Sequence, residues 1–234
     1  MSLIYVFTAM TMEGQAIRKI SGPNKLVPIN SGMGPKNAKR EAEVALGVSD
    51  GTPMREKPDA VVVIGLCGGL TSSLPEGRIV AYTECRSTEP ASPVLECSQA
   101  IVGRLMPLLG SANIPFNRVV GITSPRFAIK PQEKRALAER GASVVDMETY
   151  AIMAAGLTVG VPAVALRVVA DAVDRELPDF NRALNDAGGL DGRKALKVVL
   201  GSPLKTVRLL LANKRAMQHL NKALEIVLAS DCFK

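Results

Sequence analysis

The sequence predicts an α/β fold: a three-layer α/β/α sandwich around a mixed central sheet, with amphipathic helices added at the C-terminal end. Three observations carry this expectation. Segments with strand patterning alternate with segments of helical spacing from residue 3 to residue 169, the arrangement that places helices on the faces of a largely parallel or mixed sheet. Ala60–Ile64 is an unbroken apolar run, as a strand covered on both faces requires. The chain is 47% hydrophobic with only 3% aromatic residues and no tryptophan, so its core is aliphatic.

Taken in order, Leu3–Thr8 reads as a short buried strand and Leu26–Asn30 as a second, ending in the small-residue turn Ser31-Gly32-Met33-Gly34. Residues 35–46 form a helix, with Pro35 at the first helical position and Ala38, Ala42, Ala45 and Leu46 on one face. Residues 53–57 are a polar connection to the Ala60–Ile64 strand, which runs into a glycine-rich loop, Gly65-Leu66-Cys67-Gly68-Gly69, where the glycines allow tight turning and close approach of a ligand. Arg78–Tyr82 is the next strand, Leu95–Leu109 a helix, and Arg118–Ile122 a strand. Pro131–Arg140 is helical, Ser143–Val145 a short strand, and Met147–Val159 a helix of small residues. Ala163–Val169 is another buried strand, closing on Ala170-Asp171.

The 234 residues are expected to form a single domain, with residues 175–234 a variable helical extension. Pro178 and Gly188-Gly189 mark a long loop there. Two helices follow, divided at Gly201-Ser202-Pro203, where Ser202 suits an N-cap. In the second, Leu204, Val207, Leu211, Leu220, Leu224 and Val227 are the apolar positions, and Lys205, Arg208, Lys214, Arg215 and Lys222 the basic ones. Docking on the body with a solvated basic face is the favoured expectation, and peripheral contact with the inner membrane the other.

Composition narrows the function classes. The net charge of +7 permits contact with anions, but few aromatics and no nucleic-acid motif argue against a nucleic-acid partner. The four cysteines are scattered and the one histidine, His219, stands apart, so neither a metal nor another cofactor is expected. Scattered cysteines and an N-terminal stretch with no basic leader point to the cytoplasm.

Ligands of open α/β sheets bind beyond the carboxyl ends of the strands. Glu13, the Ser31–Gly34 turn, the glycine-rich 65–69 segment and Asp171 all follow strands. Asp146-Met147-Glu148 lies at a strand-to-helix junction, where the helix dipole suffices to explain one carboxylate but not two. Arg167, inside an apolar strand, needs an anionic partner: a structural ion pair, or a catalytic carboxylate that it orients.

Two segments carry a family resemblance. VVVIGLCGGLTSSLPEGRIV (61–80) and VVDMETYAIMAAGLTVGVPAVALRVVADAVD (144–174) resemble the signatures of the purine nucleoside phosphorylase and nucleosidase family, which includes methylthioadenosine/S-adenosylhomocysteine nucleosidase. With the AMTME and SGMG segments the likeness covers roughly residues 3–174. Asp174–Pro178, Leu190-Asp191-Gly192 and the basic, Leu-rich end resemble the hopanoid-associated phosphorylase subgroup, for which removal of adenine from adenosylhopane is implied.

The resemblance implies a role for each residue. Glu148 binds the ribose hydroxyls with Met147 against the sugar, Asp171 protonates purine N7, and Glu13 activates water. Phe127 stacks on the base beside Ala128, in a segment resembling the family's purine loop; Leu66, Cys67 and Gly68 line the substrate, and Arg167 holds the acid. Leu66 replaces a small hydroxyl residue, Ala170 replaces Ser or Thr, and Val63 stands where a phosphate-ligating arginine would be. The missing arginine favours water over phosphate, although Gly34, Lys36, Arg126 or Lys130 remain candidates for an anion site. The loss of two hydroxyls is also what an apolar substrate, such as a hopane chain at the ribose 5′ position, would produce. A nucleosidase, a phosphorylase and a nucleoside-binding protein without chemistry all stay open. A small nucleoside, free or lipid-linked, is the expected ligand, and the family implies a homo-oligomer.

Overall fold

The computed structural model describes residues 1–10, 13–14, 17–48, 56–186 and 188–234. Residues 11–12 of the AMTME segment and 53–55 of the expected polar connection lie outside the described residues. The fold is a mixed α/β fold with a central sheet and, among the described residues, six α-helices.

The strands are β1 (Leu3–Thr8), β2 (Lys25–Asn30), β3 (Ala60–Gly69), β4 (Ile79–Ser87), β5 (Leu95–Glu96), β6 (Phe116–Thr123), β7 (Val144–Asp146) and β8 (Ala163–Asp171). The helices are α1 (Pro35–Ala45), α2 (Gln99–Ser111), α3 (Pro131–Ala138), α4 (Thr149–Thr158), α5 (Gly192–Gly201) and α6 (Pro203–Leu228). β2, β1, β3 and β8 run parallel in that order. β8 then pairs antiparallel with β4, β4 parallel with β6, β6 parallel with β7, and β7 antiparallel with β3. The pairing from β3 through β8, β4, β6 and β7 therefore closes on itself.

Helices α4 and α6 both pack on β3, β4 and β8, with α1 against α4 and α2 against α6. Every residue of β8 is buried, as a strand with helices over it must be. The core is aliphatic, built on Val61, Val62, Ile64, Leu166 and Val168 with Leu220 and Leu224 of α6.

Several expected boundaries shift for identifiable reasons. The Gly65–Gly69 segment is not a loop: it continues β3 alongside β8, with Gly65 opposite Arg167. Register slips between Cys67 and Gly68, where Ala170 becomes the extra residue and Asp171 pairs with Gly68. Such bulges re-aim side chains at the rims of sheets. The helix expected from Leu95 begins at Gln99, because Leu95 and Glu96 pair with Cys85 and Glu84 of β4. Ser98 caps it, its hydroxyl accepting from the Ile101 amide.

Ser202 stands at the N-cap of α6 as expected, yet its side chain makes no cap bond; its carbonyl accepts from Thr206 instead. Docking of the C-terminal helix holds for one half only. Leu220, Leu224 and Val227 are buried, whereas Leu204, Val207 and Leu211 are exposed.

Candidate active site

The bulged end of β3 and β8 forms the floor of a cleft of about 190 Å³. Its walls include Glu13, Leu66, Cys67, Gly68, Arg126, Phe127, Ala128, Met147, Glu148, Arg167 and Asp171. These residues come from six separated stretches of chain, and all had been singled out from the sequence as candidates.

Glu13 is buried after β1, and its Oε2 accepts from the Met10 amide at 3.2 Å. Burial pushes its carboxyl up to about 7, against the backbone hydrogen bond of Met10 and the charge of Arg167. The carboxylate lies over Gly65, whose φ of 138° is a conformation reserved for glycine. A Cβ there would come 2.9 Å from Nη1 of Arg167 and 3.3 Å from Oε1 of Glu13. Glycine at 65 thus brings the Glu13 carboxyl and the Arg167 guanidinium up to the strand backbone.

The Asp146–Thr149 corner divides two acids by function. Asp146 Oδ1 accepts from the amides of Glu148 and Thr149, each at 3.0 Å, and from the Thr123 hydroxyl at 2.8 Å. Its Oδ2 accepts from the Tyr82 hydroxyl at 2.8 Å. Burial acts to raise its carboxyl, but Arg167 and the hydrogen bonds of Thr149 and Tyr82 outweigh it and hold the group below its ordinary value. Asp146 serves the helix end, and α4 starts at Thr149, two residues later than expected.

Glu148 is left free of capping. Its Oε1 accepts from the Gly34 amide at 3.0 Å, and its Oε2 lies 3.5 Å from Nη2 of Arg167. Burial raises its carboxyl, with Arg167 opposing. Gly34 at φ 88° is the N-cap of α1, and its amide is committed to Glu148. The anion that the Gly34 amide meets in this structure is thus the Glu148 carboxylate.

Asp171 does not meet Arg167, contrary to expectation. The guanidinium is held by the Thr149 hydroxyl at 2.8 Å, the Leu66 carbonyl at 3.2 Å, Glu148 and, at 3.9 Å, Asp146. Four strand residues span about 13 Å, too far for side chains at 167 and 171 to pair easily along β8. Lys134 of α3 takes that place. Fully buried, its ammonium donates to Asp171 Oδ2, to the Ala172 carbonyl at 2.6 Å and to the Arg175 carbonyl at 3.0 Å. Burial raises the Asp171 carboxyl above its ordinary range and Lys134 opposes the rise. The carboxylate sits over Gly68, where a Cβ would lie 3.4 Å from Oδ2.

The wall opposite is made by Phe127 and Phe180, ring centroids 6.3 Å apart and tilted by 55°. Asn181 clamps the Phe127 backbone, accepting from its amide and donating to its carbonyl, both at 2.9 Å. Phe180, Asn181 and Lys134 were not anticipated, nor were Leu209 and Asn213, which bring α6 to the cleft. The one local signal was Lys134 itself, three and four residues before Leu137 and Ala138 and hence on the inward face of α3.

Lys36 falls outside this cleft. Its Nζ donates to the Asp186 carbonyl at 2.9 Å, and the side chain lines a larger cleft of about 740 Å³ that contains neither Glu13, Glu148 nor Asp171. Arg126 is exposed at the border of both. Lys130 is exposed at the start of α3. Among the described residues no group of three or more His, Cys, Asp and Glu side chains could hold a metal ion.

Comparison with solved structures shows the same fold at low identity. The 5′-methylthioadenosine/S-adenosylhomocysteine nucleosidase from Neisseria meningitidis, in complex with methylthio-immucillin-A, superposes with a TM-score of 0.75 at 15% identity, covering 98% of this chain and 99% of that one. The corresponding nucleosidase of Helicobacter pylori gives 0.74 at 15% identity, over 97% and 98% of the two chains. Futalosine hydrolase of Helicobacter pylori strain 26695 gives 0.73 at 15% identity, over 97% of each. The phosphorylase superfamily model matches residues 11–190, spanning β2 through the 3-10 turn at Phe180–Ala183 and every carboxylate described above. The chain belongs to the phosphorylase superfamily.

Proposed function

We propose that the chain is a nucleosidase that cleaves the N-glycosidic bond of an adenine nucleoside with water, acting on a substrate whose ribose C5′ carries an apolar group of the adenosylhopane type. The observation that carries this reading is the convergence of three buried carboxyls, Glu13, Glu148 and Asp171, on one cleft walled by Phe127 and Phe180. Membership of the superfamily, and the fold shared with nucleosidases and a futalosine hydrolase, support it.

In this mechanism Phe127 packs on the base and Glu148, fixed by Gly34 and Arg167, accepts the ribose hydroxyls. As the bond from C1′ to N9 lengthens, positive charge grows on the sugar, where carboxylates stabilise it. Asp171 gives its proton to N7, so adenine leaves neutral with the bonding pair on N9. Glu13 takes a proton from water, whose oxygen bonds to C1′. Its carboxyl at about 7 suits a base working near neutral pH.

Water is favoured over phosphate because the buried cations of the cleft are committed. Lys134 is paired with Asp171, and Arg167 with Glu148 and Asp146. Arg126 at the rim is the group on which a phosphorylase reading rests. Met10, Met33, Leu66, Leu177 and Leu209 on the walls support an apolar C5′ group. A substrate of that kind sets the enzyme at the cytoplasmic face of the inner membrane, although no helix among the described residues is long and apolar enough to cross one.

The test is adenine release, followed by chromatography, from adenosylhopane and from methylthioadenosine, each with and without phosphate. Release from adenosylhopane without phosphate is expected. Release from methylthioadenosine alone would remove the apolar substrate, and strict dependence on phosphate would replace the nucleosidase by a phosphorylase.

A further inference from the structure

Six of the thirteen exposed large apolar residues of the described chain fall between positions 196 and 211. On α5, Leu196 and Leu200 are one turn apart. On α6, Leu204, Val207 and Leu211 follow at three- and four-residue spacing, so each helix presents an apolar stripe. Leu200 is 71% exposed and Leu204 81%. Soluble chains scatter such residues singly, and a contiguous group of them marks a contact surface.

The flanking charge says what the surface meets. From Gly192 to Gln218 the chain carries Arg193, Lys194, Lys197, Lys205, Arg208, Lys214 and Arg215 and no acidic residue. Among the described residues only Lys205 of these is in a salt bridge, to Glu176 at 3.0 Å. A second copy of the chain applied to the same face would set cations against cations. A polar, anionic surface with an apolar interior fits both features at once.

We infer that α5 and the first half of α6 form a docking surface for an anionic phospholipid bilayer, the leucines entering the headgroup layer and the basic residues meeting the phosphates. The inward side of the same stretch of α6 supplies Leu209 and Asn213 to the cleft. Asn213 Oδ1 is buried there without a hydrogen-bond partner among the described residues. Docking therefore sets the mouth of the site beside the lipid, where the apolar C5′ group of the substrate resides. That functional consequence rests on the proposed nucleosidase reading, whereas the docking surface stands on the exposed leucines and the charge.

Co-flotation of the full chain with vesicles tests it, using phosphatidylcholine alone and phosphatidylcholine mixed with phosphatidylglycerol. Binding to the anionic vesicles, weakened by salt, is expected. The Leu200→Glu/Leu204→Glu double variant should lose about tenfold or more in vesicle affinity while melting as the parent does. The Lys194→Glu/Lys197→Glu variant should lose the preference for anionic lipid. Absence of binding by the parent chain, or equal binding by the leucine variant, would overturn the inference. So would sedimentation velocity showing that the leucine substitutions dissociate an oligomer. Vesicle binding as expected, with no adenine released from any adenosyl compound, would leave the surface standing and defeat the nucleosidase reading instead.

Discussion

Lys134 and Asp171 form a buried ion pair at the wall of the cleft, the ammonium satisfied by one carboxylate and by the carbonyls of Ala172 and Arg175. Three acceptors for three N–H donors describe a charged lysine, which stabilises the ionised form of Asp171 against the burial that favours the protonated one. The protonation of the proposed acid thus depends on burial, which raises its carboxyl, and on an opposing charge from α3, an element outside the superfamily signatures read from the sequence.

Lys134→Met should move the alkaline limb of kcat/KM to higher pH. Asp171 must be protonated to act, Lys134 holds its pKa down, and removing the lysine lets burial act unopposed. A buried pair that loses one partner costs about 3–5 kcal/mol, so the variant should also melt earlier. Lys134→Arg keeps the charge and should keep the limb near that of the parent. A pH profile unchanged in the methionine variant would reduce Lys134 to a structural residue.

Glu13→Gln separates activity from stability. The proposed base should be worth about 10²–10⁴-fold in rate, and in the parent kcat/KM should fall as pH drops through about 7. For stability the sign is opposite to the usual acid. The folded value of about 7 lies above the ordinary 4.5, so the fold favours protonated Glu13 and loses that advantage as pH rises from about 4.5 to about 7. The neutral glutamine avoids the loss, which is on the order of 3 kcal/mol. The inactive variant should therefore outlast the parent at pH 8 in thermal melting, with a smaller difference at pH 5.

Gly65→Ala should damage both fold and site. Its φ of 138° and the 2.9 Å approach to Nη1 of Arg167 leave no room for a methyl group. A loss of about 1–3 kcal/mol from backbone strain alone is expected, together with lowered activity as Glu13 and Arg167 are displaced. Melting and kinetics of the one variant check both parts.

Arg167→Met tests the corrected pairing. With the guanidinium gone, Asp146 and Glu148 face each other as buried acids without a cation, a change of about 3–5 kcal/mol. Because Glu148 is the proposed ribose ligand, KM should rise. Had Arg167 held Asp171, the change would appear in the alkaline limb of the pH profile instead.

What could be read from the sequence followed locality. β1, β2, β6 and β8 and the helix after Gly34 are visible in short-range apolar spacing and in the Gly-Pro junction at residues 34–35. Glu13, Glu148 and Asp171 could be marked because each sits at a strand end, and tertiary folding then brought them together. Partners of charge were harder. The family resemblance pairs Arg167 with Asp171, although a strand spaces residues 167 and 171 too far apart, and the guanidinium reaches across to Glu148 and Thr149 instead. The strand ends were misjudged where glycines at 65, 68 and 69 suggested a loop: with neighbours on both sides, β3 simply continues. The exposed half of α6 looked like its buried half, since both carry leucine at helical spacing and only packing tells them apart.

The most direct measurement of the central claim is adenosyl-substrate cleavage in water enriched in ¹⁸O, with phosphate present. The nucleosidase account predicts free adenine and one ¹⁸O atom bonded at C1′ of the ribosyl product, both lost in Asp171→Asn. A ribose 1-phosphate product carrying no label would contradict it.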